Sequence, residues 1–399
     1  MPAGALKAGY AAISYREFPM LTIRSTAVSA LLFSIALQPF AIAQSSANDT
    51  VRMNQIQVIG THNSYHAGIA PSETKLMKAK YPDRYAQLEY QHHSLDRQLS
   101  SGVRQIELDV YADTQGGRFA HPAGPGAVAA AGLPADPGFD PHGLMNKPGF
   151  KVMHVQDWDY RSVCQPFTAC LNIVRQWSLA HLRHLPIYIL VETKQTDLPQ
   201  ELHAVTTEKF TSATFDVLDA EIRSVFNPNE MITPDTVRGN RKTLEEAVLN
   251  NGWPSLSAAR GKVVFLMDQR PVGPVYLDGH PSLRGRVIFT NAQPGEPDCA
   301  FVEENDGTPE EISSLVRKGY LIRTRTDEET KEARINQTAK RDAALASGAQ
   351  LLSTDYPASE PASWTGYSVN LPGGAVARCN PINAPKECND AELNETSRH

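Results

Sequence analysis

The stretch 187–192, Ile-Tyr-Ile-Leu-Val-Glu, decides the fold, because five apolar or aromatic residues in a row end on a carboxylate. A strand with one face in water alternates apolar and polar residues, whereas a strand covered on both faces is apolar throughout. Strands covered on both faces are typical of parallel sheets, in which helices lie against each side. The stretch therefore predicts a strand of a parallel α/β sheet with Glu192 at its carboxyl end.

Similar runs lie on both sides of this stretch. They are residues 56–60, 103–110, 151–155, 263–268, 286–289, 320–323 and 349–353. Amphipathic stretches lie between them, at residues 168–183, 200–225, 242–250 and 328–347. This alternation, with about eight repeats, predicts an α/β fold, a (β/α)8 TIM-type barrel that need not be regular. The alternative is an open doubly wound sheet, which is disfavoured because the chain has no glycine-rich phosphate loop of the Rossmann or P-loop kind.

Two segments depart from the alternation of strands and helices. Residues 114–149 are rich in Gly, Pro and Ala and join two predicted strands without a clear helix. A connection of this length is usually functional or disordered, and it would lie at the catalytic face of a barrel. Residues 357–399 are rich in Pro and Asn, and we expect them to form an extension over the barrel. The chain then has a single catalytic barrel domain, residues 44–399.

The first 43 residues are typical of an export signal. Arg24 precedes an apolar run at 27–37, and Ala-Ile-Ala at 41–43 supplies an A-x-A cleavage site. Residues 1–19 precede a second suitable start and can be an over-extended beginning. The run is shorter than the roughly 20 apolar residues that a membrane span needs. We therefore expect a secreted or periplasmic protein that is soluble once the signal is removed.

The charge balance limits the partners that we expect. The chain has 38 basic and 44 acidic residues, which gives a formal charge of −6. A protein that binds nucleic acid usually presents a basic face, so nucleic acid is not expected as a partner. Tight electrostatic docking on anionic lipid is not expected either.

All five cysteines follow the export signal. They are Cys164, Cys170, Cys299, Cys379 and Cys388. The two close pairs, with C-x5-C and C-x8-C spacing, indicate two local disulfides in an exported chain, with Cys299 left over. A zinc site is the weaker alternative, because neither pair has the tight C-x2-C spacing.

Polar side chains lie at the carboxyl ends of the first four predicted strands. They are His62 and Asn63 after the first strand, Glu107 and Asp109 in the second, His154 in the third, and Glu192 and Lys194 at the fourth. In a barrel these ends meet at one mouth, where active sites of this fold lie. Each residue alone has a structural explanation, such as a salt bridge. Together they leave several carboxylates beside a buried core, where a cation is needed to offset their charge.

The types of these residues indicate which cation. Four of them offer oxygen ligands: Asn63, Glu107, Asp109 and Glu192. Oxygen ligands suit the hard cations Ca²⁺ and Mg²⁺. His62 and His154 are then free for acid–base chemistry near neutral pH.

The sequence around these residues resembles a known family. Four runs carry the resemblance: 59–65 (Ile-Gly-Thr-His-Asn-Ser-Tyr), 105–110 (Gln-Ile-Glu-Leu-Asp-Val), 152–154 (Val-Met-His) and 190–194 (Leu-Val-Glu-Thr-Lys). They resemble the bacterial calcium-dependent phosphoinositide phospholipase C-like family. The eukaryotic phosphoinositide phospholipases C carry a similar order of His-Asn, Glu-x-Asp, His and Glu. The resemblance covers about residues 53–388, nearly all of the chain after the export signal.

The resemblance implies a phosphodiesterase that acts on phosphatidylinositol or a related phosphodiester. The inositol 2-hydroxyl would attack its own phosphodiester, which releases diacylglycerol and forms a cyclic inositol phosphate that water can open. Transient contact with a membrane surface is implied, and no protein partner is. Because no cluster of basic residues for ring phosphates can be identified, unphosphorylated phosphatidylinositol is expected before its polyphosphorylated forms.

The resemblance also implies roles for the site residues. Ca²⁺ would be the cofactor, with the ligands Asn63, Glu107, Asp109 and Glu192. His62 would hydrogen-bond a phosphoryl oxygen, His154 would protonate the leaving glycerol oxygen, and Glu107 would be the base for the 2-hydroxyl. The expected substrate contacts are Lys194, for which a plain salt bridge is the alternative, and Arg323 and Tyr356 after the last strands. Arg325 and Asp355 lie in the same region without an assigned role.

Several alternatives stay open. A glycerophosphodiester phosphodiesterase shares the barrel and the carboxylates but typically has His-Arg where this chain has His62-Asn63. A metal-independent phospholipase C has a basic residue in place of the metal, which the three acids disfavour. A non-catalytic binding protein on the barrel fold would be expected to have lost some of the site residues. An esterase acting through Ser64 lacks the G-x-S-x-G elbow. No direct catalytic role is expected for His66, His121 or Asp157.

Overall fold

The structure is a computed structural model that describes residues 50–202 and 204–395. The export signal expected in residues 1–43 lies outside the described residues. Within the two described ranges, no helix has both the length and the apolar composition needed to cross a bilayer.

Eight parallel strands of the described residues form the barrel. In chain order, all strands are β1 (Ile56–Thr61), β2 (Gln105–Tyr111), β3 (Lys151–Val152), β4 (Ile187–Thr193), β5 (Val263–Met267), β6 (Ile288–Phe289), β7 (Phe301–Glu303), β8 (Leu321–Arg325), β9 (Leu351–Thr354) and β10 (Ala377–Cys379). The order around the sheet is β6-β5-β4-β2-β1-β9-β8-β7, and every neighbouring pair is parallel. A parallel bridge between Asn291, just after β6, and Phe301 joins the two edge strands. The predicted TIM-type α/β barrel is confirmed.

Helices lie in the connections between the strands. Those of the described residues are Pro71–Lys80, Pro82–Gln87, Leu95–Ser100, Ala123–Ala130, Phe167–Ala180, Ser212–Val225, Pro234–Arg238, Leu244–Leu249, Leu256–Ala259, Gly273–Tyr276, Pro309–Lys318, Lys331–Ile335 and Ala339–Ser347. Local signals set several boundaries. The helix Pro309–Lys318 starts after a capping box at Thr308 and ends at Gly319, whose φ of 104° suits glycine. Residues 328–347, predicted as one helical stretch, contain two helices because Asn336 adopts a left-handed φ of 53°.

The barrel strands are buried on both faces. Residues 187–191 of β4 are at most 1% exposed, and all residues of β5 are buried. Burial of apolar surface contributes about 25 cal/mol per Å², so these strands are a main source of stability. The packing is closest at Gly60 in β1, where a Cβ atom would lie 2.0 Å from Oε1 of Gln105. Glycine at this position lets β1 and β2 approach each other.

The third predicted strand, residues 151–155, is not part of the barrel. Only Lys151–Val152 (β3) is extended, and it pairs antiparallel with the end of β2. The ammonium group of Lys151 donates hydrogen bonds to the main-chain oxygens of Lys147 at 2.6 Å and Gly149 at 3.0 Å, which ties β3 to the preceding loop. The prediction of a barrel strand here is therefore wrong.

The remaining barrel strand is β7, which the sequence did not predict. Its three residues are too few to show a periodic pattern. The connection 114–149 also differs from the expectation, because Ala123–Ala130 is helical. Four alanines favour this helix, and the glycine and proline residues among them conceal it.

The C-terminal extension returns to the start of the barrel. β10 pairs antiparallel with β1, with Cys379 opposite Ile56. The disulfides of the described residues are Cys164–Cys170 and Cys379–Cys388. Cys299 is a free, buried thiol. Both predicted disulfides and the unpaired cysteine are confirmed, and the zinc alternative is wrong for these two pairs.

Candidate active site

The strand register places three carboxylates side by side at the carboxyl ends of β2 and β4. Asp109 lies opposite Glu192 in the parallel pairing of the two strands, and Glu107 lies two residues before Asp109 on the same face. One oxygen from each of the three side chains lies within 4.8 Å of the others. We call Glu107, Asp109 and Glu192 the acidic cluster. The structure thus brings together three of the four predicted metal ligands.

Protein cations balance the charge of the acidic cluster only in part. Nζ of Lys194 lies 3.0 Å from Oδ2 of Asp109 and 2.9 Å from Oε1 of Glu192. Among the described residues, however, neither oxygen of Asp109 has a hydrogen-bond partner of good geometry. Burial, and then the charge of Glu192, raise the pKa of Asp109 well above its ordinary value. A divalent cation with oxygen ligands fits this donor set, because it would offset the negative charge at buried Asp109 that Lys194 offsets only in part.

Glu192 differs from Asp109 in the direction of its pKa shift. Burial raises the pKa of Glu192, but the charge of Lys194 and its hydrogen bond outweigh burial, so the pKa is lowered. Its side chain is 23% exposed, whereas that of Asp109 is fully buried. Glu192 therefore keeps its charge more easily than Asp109 does.

Arg323 is buried beside Glu107. One terminal nitrogen donates to Oε2 of Glu107 at 2.6 Å, and the other donates to Glu303 at 2.9 Å and to Asn305 at 2.7 Å. The residue is 1% exposed. The sequence predicts a substrate contact here, but the structure places the guanidinium among protein acceptors, where it orients Glu107.

Two tyrosines hold Asn63 in the turn after β1. Its φ is 44°, a left-handed conformation that Asn adopts more readily than most residues. Nδ2 donates to the hydroxyl of Tyr90 at 2.8 Å, and Oδ1 accepts from the hydroxyl of Tyr65 at 3.2 Å. Burial, and then the charge of Asp109, raise the pKa of Tyr65. Tyr65 therefore connects the amide of Asn63 to the acidic cluster.

His62 pairs with Asp355, which follows β9. Nδ1 lies 2.7 Å from Oδ1 of Asp355, and Nε2 lies 3.6 Å from Oε1 of Glu107. Burial raises the pKa of Asp355, but the charges of Arg325 and His62 outweigh it and hold the pKa well below its ordinary value. Burial, and then the charge of Arg325, lower the pKa of His62. In its neutral form, His62 donates from Nδ1 to ionised Asp355 and leaves Nε2 free.

His154 lies in a loop after β3, not on a barrel strand. Its Nδ1 lies 2.8 Å from Oδ2 of Asp159, and Nε2 of buried His66 lies 2.9 Å from Oδ1 of the same carboxylate. Burial raises the pKa of Asp159, but the charge of His66 and the bonds from both histidines outweigh it and lower the pKa. Asp159 is not among the residues predicted from the sequence. Its only signal there is its position, five residues after His154.

Both histidines line one cleft of about 600 Å³. Its polar lining includes Asp159, Arg325 and Asp355. The apolar and aromatic lining residues are Met77, Tyr81, Leu88, Tyr90, Val155, Trp158, Leu198, Pro199 and Leu202. A ligand with one anionic group and an apolar portion suits this combination of surfaces.

Several residues considered in the sequence lie elsewhere. Tyr356, an expected substrate contact, is not part of the cleft lining. It is 4% exposed and packs edge to face against Tyr367. Asp157 accepts hydrogen bonds from the main-chain N–H groups of Ala123 at 2.9 Å and Val205 at 2.6 Å, so it fixes loops.

Known proteins of the same fold include phospholipases. A calcium-dependent phosphoinositol-specific phospholipase C from a Gram-negative bacterium, Pseudomonas sp., in an apo form, is 17% identical over 84% of this chain and 97% of its own, with a TM-score of 0.50. A myoinositol complex of the enzyme with that description gives the same identity and TM-score, over 84% and 96%. A Ca²⁺-dependent phosphatidylinositol-specific phospholipase C from Streptomyces antibioticus is 19% identical over 76% of this chain and 95% of its own, with a TM-score of 0.46. At such identities the first two likenesses bear on the fold alone.

The sequence itself matches a family model. No curated protein matches the chain. The model described as phosphoinositide phospholipase C, Ca²⁺-dependent, however, matches residues 51–381, which is most of the chain. The chain therefore belongs to the calcium-dependent phosphoinositide phospholipase C family.

Proposed function

We propose that the protein cleaves phosphatidylinositol, or a closely related phosphodiester, in a calcium-dependent reaction. Membership of the family makes it a phosphodiesterase of the phospholipase C type. In the proposed reaction the inositol 2-hydroxyl attacks the neighbouring phosphorus, and the products are diacylglycerol and a cyclic inositol phosphate. The observation that carries the proposal is one cleft in which two histidines, each paired with a carboxylate, lie beside the acidic cluster.

The metal would be held by Asn63 together with the acidic cluster. The support is the chemistry of the donors, all oxygen, and the buried carboxylate of Asp109, which pairs with Lys194 but accepts no hydrogen bond of good geometry among the described residues. Bound Ca²⁺ would lower the pKa of the 2-hydroxyl and offset charge that develops on the phosphoryl oxygens. Glu107, whose Oε1 lies 3.6 Å from His62, would accept the proton of the 2-hydroxyl.

His154 would act on the leaving group. With Nδ1–H donated to Asp159, Nε2 is the nitrogen available to the cleft. In the imidazolium form it would protonate the glycerol oxygen as the P–O bond breaks. It would then accept a proton from the water that opens the cyclic phosphate. His66 would contribute indirectly, by fixing the carboxylate of Asp159.

His62 would stabilise the phosphoryl group. In the free protein its pKa is lowered by burial and by Arg325, so the neutral form is favoured. A phosphodiester that enters the cleft brings a negative charge and favours the imidazolium, whose Nε2–H can donate to a phosphoryl oxygen. Lys194, 19% exposed, would support the same charge from the side of Glu192. Arg323 would act by holding Glu107, and we assign Tyr356 no direct contact with the substrate.

The apolar part of the cleft would receive the glycerol end of the lipid. Its lining there includes Met77, Leu88, Trp158, Leu198 and Leu202. We infer that the protein acts outside the cytoplasm, where its disulfides persist. It would touch a membrane only while it takes up substrate.

Phosphorus NMR with purified protein tests this function. Phosphatidylinositol vesicles are incubated with protein and calcium, and in parallel with protein and a chelator. A cyclic inositol phosphate signal that needs calcium is expected. A monoester that forms directly in a calcium-dependent way would instead point to attack by water, as in a glycerophosphodiester phosphodiesterase. Absence of turnover in both conditions, with glycerophosphoinositol also inert, would contradict the proposal and favour a binding role.

A further inference from the structure

His92 links the C-terminal extension to the end of β1. Its side chain is fully buried, and Nδ1 lies 2.6 Å from Oε2 of Glu360. Nε2 lies 2.9 Å from the main-chain oxygen of His62. The other oxygen of Glu360 accepts a hydrogen bond from the main-chain N–H of His93 at 3.0 Å, and the side chain of Glu360 is only 8% exposed. A residue of the extension thus reaches a catalytic residue through one intervening ring.

The hydrogen bonds of His92 define its charge. Its two partners, a main-chain oxygen and a carboxylate, are both acceptors, whereas a neutral imidazole carries only one N–H. Both bonds form together only if the ring is an imidazolium or if Glu360 carries the additional proton. Burial raises the pKa of Glu360, but the bond and charge of His92 outweigh it and lower the pKa. The geometry is therefore that of a buried ion pair, with Tyr90, His93 and Asp355 as the neighbouring titratable groups.

The bond to His62 acts on the peptide group that shapes the site. The accepting oxygen belongs to the peptide between His62 and Asn63, and Asn63 has a left-handed φ of 44°. The main-chain N–H of His92 also donates to the oxygen of His66 at 2.8 Å, so His92 holds both ends of the turn 62–66. A left-handed residue other than glycine persists only where its surroundings fix it. Without His92 the turn could relax, and His62 and Asn63 would move relative to the acidic cluster.

We propose that His92 and Glu360 are positioning residues for the cleavage reaction, and that through them the C-terminal extension completes the active site. The kinetic part of this inference rests on the proposed function, whereas its geometric part does not. Neither residue touches the substrate. Glu360 holds the charged ring of His92 in place through the ion pair, and the ring holds the peptide group between His62 and Asn63 through a hydrogen bond.

Kinetics of four variants test the positioning role. H92A and E360A are each expected to lower kcat on phosphatidylinositol about 10- to 100-fold, with KM changed less than about threefold, because the site is misplaced and not removed. Since the two residues act as a unit, the double variant should lose little more than either single variant. H92Q keeps one donor for the oxygen of His62 and should recover part of the activity that H92A loses.

The matched control is E395A. Glu395 also belongs to the C-terminal extension and pairs with buried Arg104, just before β2, at the opposite end of the barrel strands. E395A should unfold at a lower temperature and keep the kcat of the parent protein. A loss of kcat in E395A as large as that in H92A, or fully multiplicative losses in the double variant, would overturn the positioning role.

Nitrogen-15 NMR of histidine-labelled protein tests the geometry without substrate. The ring of His92, assigned by comparison with H92Q, should show two protonated nitrogens near neutral pH, and E360Q should return it to one. A neutral tautomer of His92 in the parent protein overturns the inference even if the enzyme is active. Two protonated nitrogens in a protein that does not cleave phosphatidylinositol support the geometry and count against the proposed function alone.

Discussion

The two histidines of the cleft are oriented by the same device. The Nδ1 of each ring is hydrogen-bonded to a buried carboxylate, Asp355 for His62 and Asp159 for His154. The Nε2 of each ring is therefore the nitrogen available to a ligand in the cleft. The two carboxylates are kept ionised by different cations, Arg325 in one pair and His66 in the other. Orientation and charge thus come from separate groups, so a single substitution can disturb one without the other.

The pair with His154 gives the first prediction. D159N can place an amide N–H opposite Nδ1 of His154, where the parent protein has a carboxylate that accepts. This change favours the tautomer of His154 with its proton on Nε2, which is wrong for the proposed reaction. We expect kcat on phosphatidylinositol to fall about 100- to 10,000-fold with little change in KM. Steady-state kinetics with a coupled diacylglycerol assay measures this. D219N is the control, because Asp219 is a buried acid that accepts from the hydroxyl of Tyr276 away from the cleft, and its variant should lose stability only.

Asp109 gives the second prediction. D109N removes a carboxylate whose charged form is disfavoured by burial, so without calcium the variant should be at least as stable as the parent protein. Its affinity for calcium should fall by at least about tenfold. Titration calorimetry and the rise of the melting temperature with calcium measure both effects. D306N, at an exposed acid, should respond to calcium as the parent does. An unchanged calcium response in D109N would remove Asp109 from the ligand set.

At the scale of strands and helices, the long apolar strands were predictable and the short ones were not. The stretch 187–192 identifies β4 because burial on both faces leaves a continuous apolar run. β7 has only three residues, and β3 is extended because its lysine is tied to a loop and not because of its own pattern. Seven of the eight barrel strands follow from local sequence, whereas the place of 151–155 depends on contacts that the sequence does not display.

The residues of the candidate site likewise include some that the sequence predicted and some that it did not. The position of a residue at the end of a strand can be read from local sequence, and parallel strands end at the same side of a barrel. The positions of Glu107, Asp109 and Glu192 were therefore enough to predict that these residues converge. The contact between His62 and Asp355 joins residues 293 positions apart, and no local pattern records it. The buried state of Arg323 and Tyr356 was equally invisible, because a residue just past a strand end can face either the cleft or the surrounding loops.

The contact between β1 and β2 gives a prediction for these two elements. G60A would place a methyl group 2.0 Å from Oε1 and 2.7 Å from Cβ of Gln105, both inside the barrel wall. Overpacking of this kind costs about 1–3 kcal/mol of unfolding free energy. Urea unfolding measures the loss. G126A is the matched control, because no atom lies within 4 Å of the added carbon and alanine favours the helix there. Equal stability of G60A and G126A would show that β1 and β2 can move apart enough to accept the methyl group, and would contradict the prediction.

At the scale of the whole molecule, the pH dependence of stability has a source away from the cleft. His184, just before β4, donates from Nδ1 to the oxygen of Leu185 and accepts at Nε2 from Ser178. Burial lowers its pKa from 6.5 to about 4. Between pH 6.5 and about pH 4, His184 binds a proton in the unfolded chain but not in the folded chain. The contribution of neutral His184 to stability is therefore complete above pH 6.5 and is lost as the pH falls toward about 4.

This linkage gives the fourth prediction. Between about pH 7 and about pH 5 the parent protein should lose about 1–2 kcal/mol of unfolding free energy through His184. H184Q, which cannot titrate, should be less stable at the higher pH but should show a correspondingly smaller loss. Urea unfolding at the two pH values, with calcium removed, measures the difference. Parallel pH curves for the two proteins would assign the acid sensitivity to other groups.

The position of β1 in the sheet governs when the enzyme can become active. This strand leaves the ribosome early, yet its neighbours β9 and β10 are the last strands to be made. Asp355 and Glu360 emerge after nearly all of the chain. The catalytic end can therefore be assembled only after synthesis is almost complete, so a nascent chain that lacks residues 355–360 should have no phosphodiesterase activity.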